Sequence, residues 1–204
     1  WADHQMMLYA KDVLSRNKGA QIIYDVKCTS LLPKLISENG GNPILSRTGH
    51  SFIKKKLKET NAELAGEMSG HIFFKERWYG FDDALYTGAR LLEIVSNSDK
   101  TCSEIFDELP VNLSTPEINI NFEKHGQQYE AMESLSNNID FPDASVNTID
   151  GFRVDYEDCW GLVRPSNTTP CLVLRFEGTG VAELNKIQEK FKKWLEGSGI
   201  PAEN

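Results

Sequence analysis

Residues 21–46 read QIIYDVKCTSLLPKLISENGGNPILS, and the fold class turns on this stretch. Gln21–Val26 is short and β-branched, the signature of a buried strand. Leu31–Glu38 takes up a helical period and halts at Asn39-Gly40-Gly41, residues suited to a left-handed C-cap. Pro43–Ser46 is again a short strand. Strand, helix and strand in so few residues point to a layered α/β domain with a largely parallel sheet. The pattern extends both ways. Upstream, Gln5–Arg16 (QMMLYAKDVLSR) reads as an amphipathic helix. Downstream, Ser51–Thr60 is a helix with a lysine-rich solvated face, and Glu63–Ala65 and His71–Phe74 are strand-like around a loop. Asp82–Ser96 is a long helix with Leu85, Ala89, Leu92 and Val95 along one face. Thr101-Cys102-Ser103-Glu104 fits a capping box before a short closing helix.

Pro110–Pro116 (PVNLSTP) is a Pro-bounded polar connector, which places the domain boundary at a hinge linker over 110–116. Residues 1–109 form the first domain and 117–204 the second. Beyond the connector the order becomes strand (Glu117–Phe122), helix (Gln127–Asn137), and strands near Asn147–Ile149, Phe152–Tyr156, Gly161–Arg164 and Cys171–Glu177. A closing helix, Val181–Leu195, follows. This order predicts a small α+β module with an antiparallel sheet. Of the net charge of −8, residues 1–109 carry −1 and residues 110–204 carry −7. An acidic chain without a basic face is no general nucleic-acid binder. Among its 204 residues no apolar run reaches membrane-span length, so no membrane partner is expected. Cys28, Cys102, Cys159 and Cys171 have neither CxxC nor zinc spacing and read as free thiols of a cytoplasmic protein. Trp1 is not an initiator Met and the first helix has almost no lead-in, so a piece of a longer polypeptide is expected.

Three places carry chemistry. Arg164-Pro165-Ser166-Asn167-Thr168-Thr169-Pro170 packs a guanidinium, three hydroxyls and an amide between two apolar strands. That donor set suits a phosphate, and the same residues also suit a plain turn. Gly66-Glu67-Met68-Ser69-Gly70-His71 joins two strands. Glu67 and Ser69 can read vicinal hydroxyls of a sugar, or the segment is a glycine-rich hairpin in solvent. Lys27 and His50 each follow a strand, where ligands gather in open α/β sheets, although either alone can be structural. Asp82-Asp83 reads as a helix cap.

Taken in order, Asp25-Val-Lys-Cys-Thr29, Thr48-Gly-His-Ser51, Gly66-Glu-Met-Ser-Gly-His71, Phe74-Lys-Glu-Arg-Trp78, Gly80-Phe-Asp-Asp83 and Arg164-Pro-Ser-Asn-Thr-Thr-Pro170 closely resemble the C-terminal half of the bacterial phosphomannomutase/phosphoglucomutase branch of the α-D-phosphohexomutase family. The resemblance covers nearly the whole chain. It implies an α/β/α layered domain followed by a smaller α+β TATA-box-binding-protein-like domain, the third and fourth of four. It implies that Glu67 and Ser69 bind the 3- and 4-hydroxyls of glucose or mannose phosphate. Arg164, Ser166, Asn167, Thr168 and Thr169 would hold the non-reacting phosphate. Lys27, His50 and His71 would line the cleft near the reacting hydroxyl, with His50 favoured for proton transfer.

The family's Thr-x-Ser-His phosphoserine segment and its alternating Asp-Gly magnesium loop are missing from this sequence, where Asp150-Gly151 stands alone. The resemblance therefore implies that Mg2+ is held by N-terminal domains of the same polypeptide, and that a hexose bisphosphate is the activator and intermediate. No metal ligand is expected in this chain, and the chain by itself is expected to bind a phosphosugar without turning it over. Two other readings are a stand-alone phosphosugar-binding module and the glucosamine-phosphate branch, which Met68 disfavours.

Overall fold

The computed structural model describes residues 1–201, and the last three residues of the segment 117–204 lie outside the described residues. The chain divides into two compact units, one ending at Val111 and the other starting at Asn112.

The first unit runs α1 (Ala2–Arg16), β1 (Gln21–Asp25), α2 (Leu31–Glu38), β2 (Asn42–Ser46), α3 (His50–Thr60), β3 (Leu64–Gly66), β4 (Ile72–Phe74), β5 (Phe81–Asp82), α4 (Ala84–Ser96) and α5 (Cys102–Asp107). Its sheet has the order β2-β1-β3-β4-β5. β1 is parallel to β2 and β3, whereas β4 is antiparallel to both β3 and β5. The sheet is thus mixed, not largely parallel. Residues 67–71 are too few for a crossover, so β4 can only turn back beside β3. Alternation along β1 builds the layers. Ile22 and Tyr24 pack among α1 and α2, while Ile23 packs on Ile53 and Leu57 of α3. Helices therefore cover both faces. α2 stops as its sequence predicts: Gly40 has φ +80°. The N–H groups of Gly40 and Gly41 donate to the carbonyls of Ser37 and Ile36, each at 2.9 Å.

Of the face expected for α4, only Val95 packs on the core. Leu85 and Leu92 are 89% and 70% exposed, and Ala89 is exposed, while Arg90 is buried. Tyr86, Leu91, Ile94 and Val95 pack on the core around Arg90. Both faces of this helix are apolar, and the charge in the middle of the buried one hides it. Asp83 caps α4 by accepting from the Tyr86 N–H at 2.9 Å. Thr101 and Glu104 form the capping box of α5.

The second unit runs β6 (Leu113–Ser114), β7 (Ile118–Asn121), α6 (Gln127–Ser136), β8 (Ser145–Asn147), β9 (Phe152–Asp155), β10 (Cys159–Pro165), β11 (Cys171–Gly178) and α7 (Val181–Gly197). The sheet order is β6-β11-β10-β9-β8, with β7 also on β11, and every pairing is antiparallel. α6 and α7 cover one face through Leu135, Ile187, Phe191 and Trp194, an α+β arrangement. Leu113 and Ser114, read as connector, pair with Gly178 and Glu177. The strand expected near Asn147–Ile149 lies at 145–147, because the Asn147 side chain accepts the Ile149 N–H at 2.9 Å and starts a turn. Among the described residues no helix is long and apolar enough to cross a membrane, and the four cysteines are free.

Candidate functional site

In the first unit, the loops after β1, β2 and β3 open at one end of the sheet and are stitched together by Asp25. This carboxylate is fully buried at the end of β1. It accepts from the Cys28 thiol at 3.1 Å, the Thr48 hydroxyl at 2.8 Å and the Met68 N–H at 3.1 Å, one partner from each loop. Sequence reading assigned Asp25 no role. The available signal was its position: a carboxylate closing the apolar run Ile22-Ile23-Tyr24 must be buried, and a buried carboxylate must collect donors.

Glu67 and Ser69 occupy a tight β3–β4 hairpin closed by Glu67 N–H to His71 C=O and Gly70 N–H to Glu67 C=O, both at 2.9 Å. The hairpin reading and the ligand reading thus describe one object. Ser69 points to solvent, but Glu67 is 1% exposed. One Glu67 carboxylate oxygen takes the N–H of Gly49, the residue before α3. Burial pushes the Glu67 carboxyl above its ordinary range, against the Gly49 hydrogen bond, and the Asp25 charge adds to the rise.

His50 opens α3 and is exposed, and its ring centre lies 6.0 Å from that of His71. His71 Nδ1 is 2.7 Å from Asp82 Oδ2. Asp82, read as a cap, therefore orients a histidine, while Asp83 alone does the capping. Lys27 is buried in the turn after β1. Lys27, His50, Glu67, Ser69 and His71 all sit on these joined loops, with Thr48, Gly49 and Asp82 added by the structure.

In the second unit, residues 166–170 connect β10 to β11, with Arg164 near the end of β10. Ser166 Oγ accepts from the Thr168 and Thr169 N–H groups at 3.4 and 3.2 Å and lies 2.8 Å from Thr169 Oγ1. Asn167, Thr168 and Thr169 are exposed, whereas Arg164 and Ser166 are buried. The Arg164 fork is not wholly open: Nε donates to Asp150 Oδ2 at 2.9 Å and Nη2 approaches Oδ1 at 3.5 Å. The fully buried Gln128 of α6 reaches the carbonyls of Ser166 and Thr169 at 3.5 Å. Neither Asp150 nor Gln128 was marked from sequence, since each lies far along the chain from the loop it supports. Among the described residues no group of three or more His, Cys, Asp or Glu side chains is placed to hold a metal ion.

Two family profiles match this chain. Phosphoglucomutase/phosphomannomutase, alpha/beta/alpha domain III, covers residues 1–113, and the C-terminal domain of the same family covers residues 117–193. A phosphomannomutase/phosphoglucomutase of Pseudomonas putida is 53% identical over 96% of this chain and 42% of its own length. A phosphoglucomutase of Neisseria gonorrhoeae is 53% identical over 97% of this chain and 43% of its own length. The crystal structure of a phosphoglucomutase/phosphomannomutase family protein from Burkholderia thailandensis superposes with a TM-score of 0.90 at 52% identity, over 97% of this chain and 42% of that one. The chain thus spans less than half the length of these relatives. With both profiles matched in order, the chain belongs to the phosphoglucomutase/phosphomannomutase family and comprises its α/β/α domain III and its C-terminal domain.

Proposed function

We propose that this chain supplies the sugar- and phosphate-binding residues of a cytoplasmic hexose-phosphate mutase, which interconverts hexose 1-phosphate and 6-phosphate through a bisphosphorylated sugar. The observation that carries the reading is the Asp25-centred joining of three loops, which gathers Lys27, His50, Glu67, Ser69 and His71 in one unit. Glu67 accepts from the 3- and 4-hydroxyls and Ser69 adds a donor, so glucose and mannose phosphates, which differ at C2, are read alike. His71 takes the proton from the attacking hydroxyl at Nε2, because Asp82 holds its Nδ1 as the partner of a general base must. This moves proton transfer from His50, favoured from sequence, to its neighbour. Lys27 contributes positive charge near the reacting group. Arg164, Ser166, Asn167, Thr168 and Thr169 hold the phosphate that does not react. No step here runs through a cation, since among the described residues no three His, Cys, Asp or Glu side chains are gathered to hold one.

The test is an amide NMR titration of the 204-residue chain with glucose 1-phosphate and mannose 1-phosphate. Shifts at Ser69–His71 and at Ser166–Thr169, with similar affinity for the two epimers, are expected. Shifts confined to the Arg164 loop, unchanged when plain phosphate replaces the sugar, would remove the sugar assignment.

A further inference from the structure

Asp150-Gly151 plays no part in the roles assigned so far, yet the fold builds a turn around it. Asn147 initiates that turn through the Ile149 N–H. Gly151 has φ +79°, and a Cβ there would lie 2.2 Å from the Val163 carbonyl oxygen and 2.6 Å from Arg164 Cα. Only glycine lets the turn press this closely against β10. The result is that the Asp150 carboxylate meets the Nε–Nη2 edge of Arg164, with both side chains at most 6% exposed. A guanidinium has two such edges, and the one carrying Nη1 is left for a ligand.

We infer that Asp150 is a positioning residue that also limits the strength of phosphate binding by the Arg164 loop. Its two oxygens fix the plane of the guanidinium, so the remaining edge faces one way. Its negative charge sits behind the cation and opposes part of its attraction for a phosphate on the far edge. The inference rests on the proposed function and gives the turn a purpose there. A mutase must hold one phosphate while the other reacts, then release it so that the sugar can reverse. A carboxylate behind the Arg164 cation weakens its hold on that phosphate and so favours the release that such a reversal needs.

The experiment is an amide NMR titration of the whole chain with inorganic phosphate and with glucose 6-phosphate, for the parent, Arg164→Ala and Asp150→Asn. Asparagine keeps an oxygen for Nε and removes the charge. Asp150→Asn is expected to bind roughly three- to tenfold tighter, with a steeper loss of affinity on adding salt. A merely structural role cannot produce tighter binding. Equal or weaker binding by a natively folded Asp150→Asn overturns the inference. Should that variant not fold, the Arg164 Nε–H signal of the parent decides. Its staying still while the Ser166–Thr169 amides move means Arg164 remains on Asp150 with phosphate bound. Its moving with them means Arg164 leaves Asp150, and the inference fails. If the parent does not bind, or Arg164→Ala binds as the parent does, the phosphate site itself is wrong, a separate outcome.

Discussion

Glu67 shows at one residue how binding chemistry opposes folding. Its carboxylate is proposed to accept from sugar hydroxyls, yet it lies almost wholly buried with Asp25 nearby. Burial raises its proton affinity in the folded chain above that in the unfolded one. For a carboxylate this sign means that ionisation disfavours the fold. The cost is present at neutral pH and disappears as pH falls through the raised folded value. Glu67→Gln keeps an oxygen for the Gly49 N–H and removes the charge. It should raise Tm at pH 7.5, by about 2–4 °C for each kcal/mol recovered in a chain of this size, and the gain should shrink as pH is lowered into the ordinary carboxylate range. In the whole protein the same change should lower kcat/KM for glucose and mannose phosphates alike, by about 1.5–3 kcal/mol for the lost charged acceptor. Glu67→Ala should lose that binding and also lose stability, because the Gly49 N–H is left without its acceptor. Thermal melts against pH and paired kinetics check both. A Gln variant less stable than the parent at neutral pH would reverse the account.

Among the elements, α4 is anchored by charge as much as by apolar packing. Arg90 reaches Asp12 of α1 at 2.6 Å and Glu76, in the turn after β4, at 2.8 Å. Its guanidinium lies 4.4 Å from the centre of the Phe74 ring. Arg16 closes the network on Asp12 and Glu76 at 2.7 and 3.0 Å. Burial works against ionisation of both acids, but hydrogen bonds and charge from Arg16 and Arg90 outweigh it and hold Asp12 and Glu76 below the usual carboxylate range. Depressed carboxylates stabilise the fold above their unfolded values and lose that contribution as pH falls through the folded ones. The network's contribution should be complete above the ordinary carboxylate values and be lost only as pH falls below them, through the depressed folded values. Arg90→Met should destabilise the first unit by about 1.5–3 kcal/mol at pH 7, since Asp12 and Glu76 then keep only Arg16, and by less at a pH low enough to protonate both acids. Urea denaturation at the two pH values checks it. A loss independent of pH would mean that Arg90 acts through packing alone.

Across the whole molecule, what was legible in the sequence is what is local. The strand–helix–strand order around residues 21–46, the Asn39-Gly40-Gly41 stop and the Thr101–Glu104 box all depend on neighbours within a few residues, and all recur in the structure. The segments that carry the family match were legible as well, each in its own loop. What escaped is long-range charge pairing. Arg90 turns α4 over because its acids lie 78 and 14 positions away, and Asp150 meets Arg164 across 14. Hydrophobic periodicity does not register such pairs, and a charge reads as solvent-facing until its partner is known. The same division applies to activity. Binding groups can be found one at a time, but phosphoryl transfer needs a donor phosphate and a cation to spread the charge that develops. The sequence has no Thr-x-Ser-His segment, and among the described residues no three His, Cys, Asp or Glu side chains are gathered to hold a cation. Purified, the 204-residue chain should show no conversion of mannose 1-phosphate to the 6-phosphate, even with magnesium and a glucose bisphosphate primer, while still giving the NMR shifts of a bound phosphosugar. A coupled assay at high protein concentration checks this. Turnover that scales with the chain, survives repurification and is abolished by His71→Ala would place a complete catalytic centre within these residues and end the division of labour proposed for them.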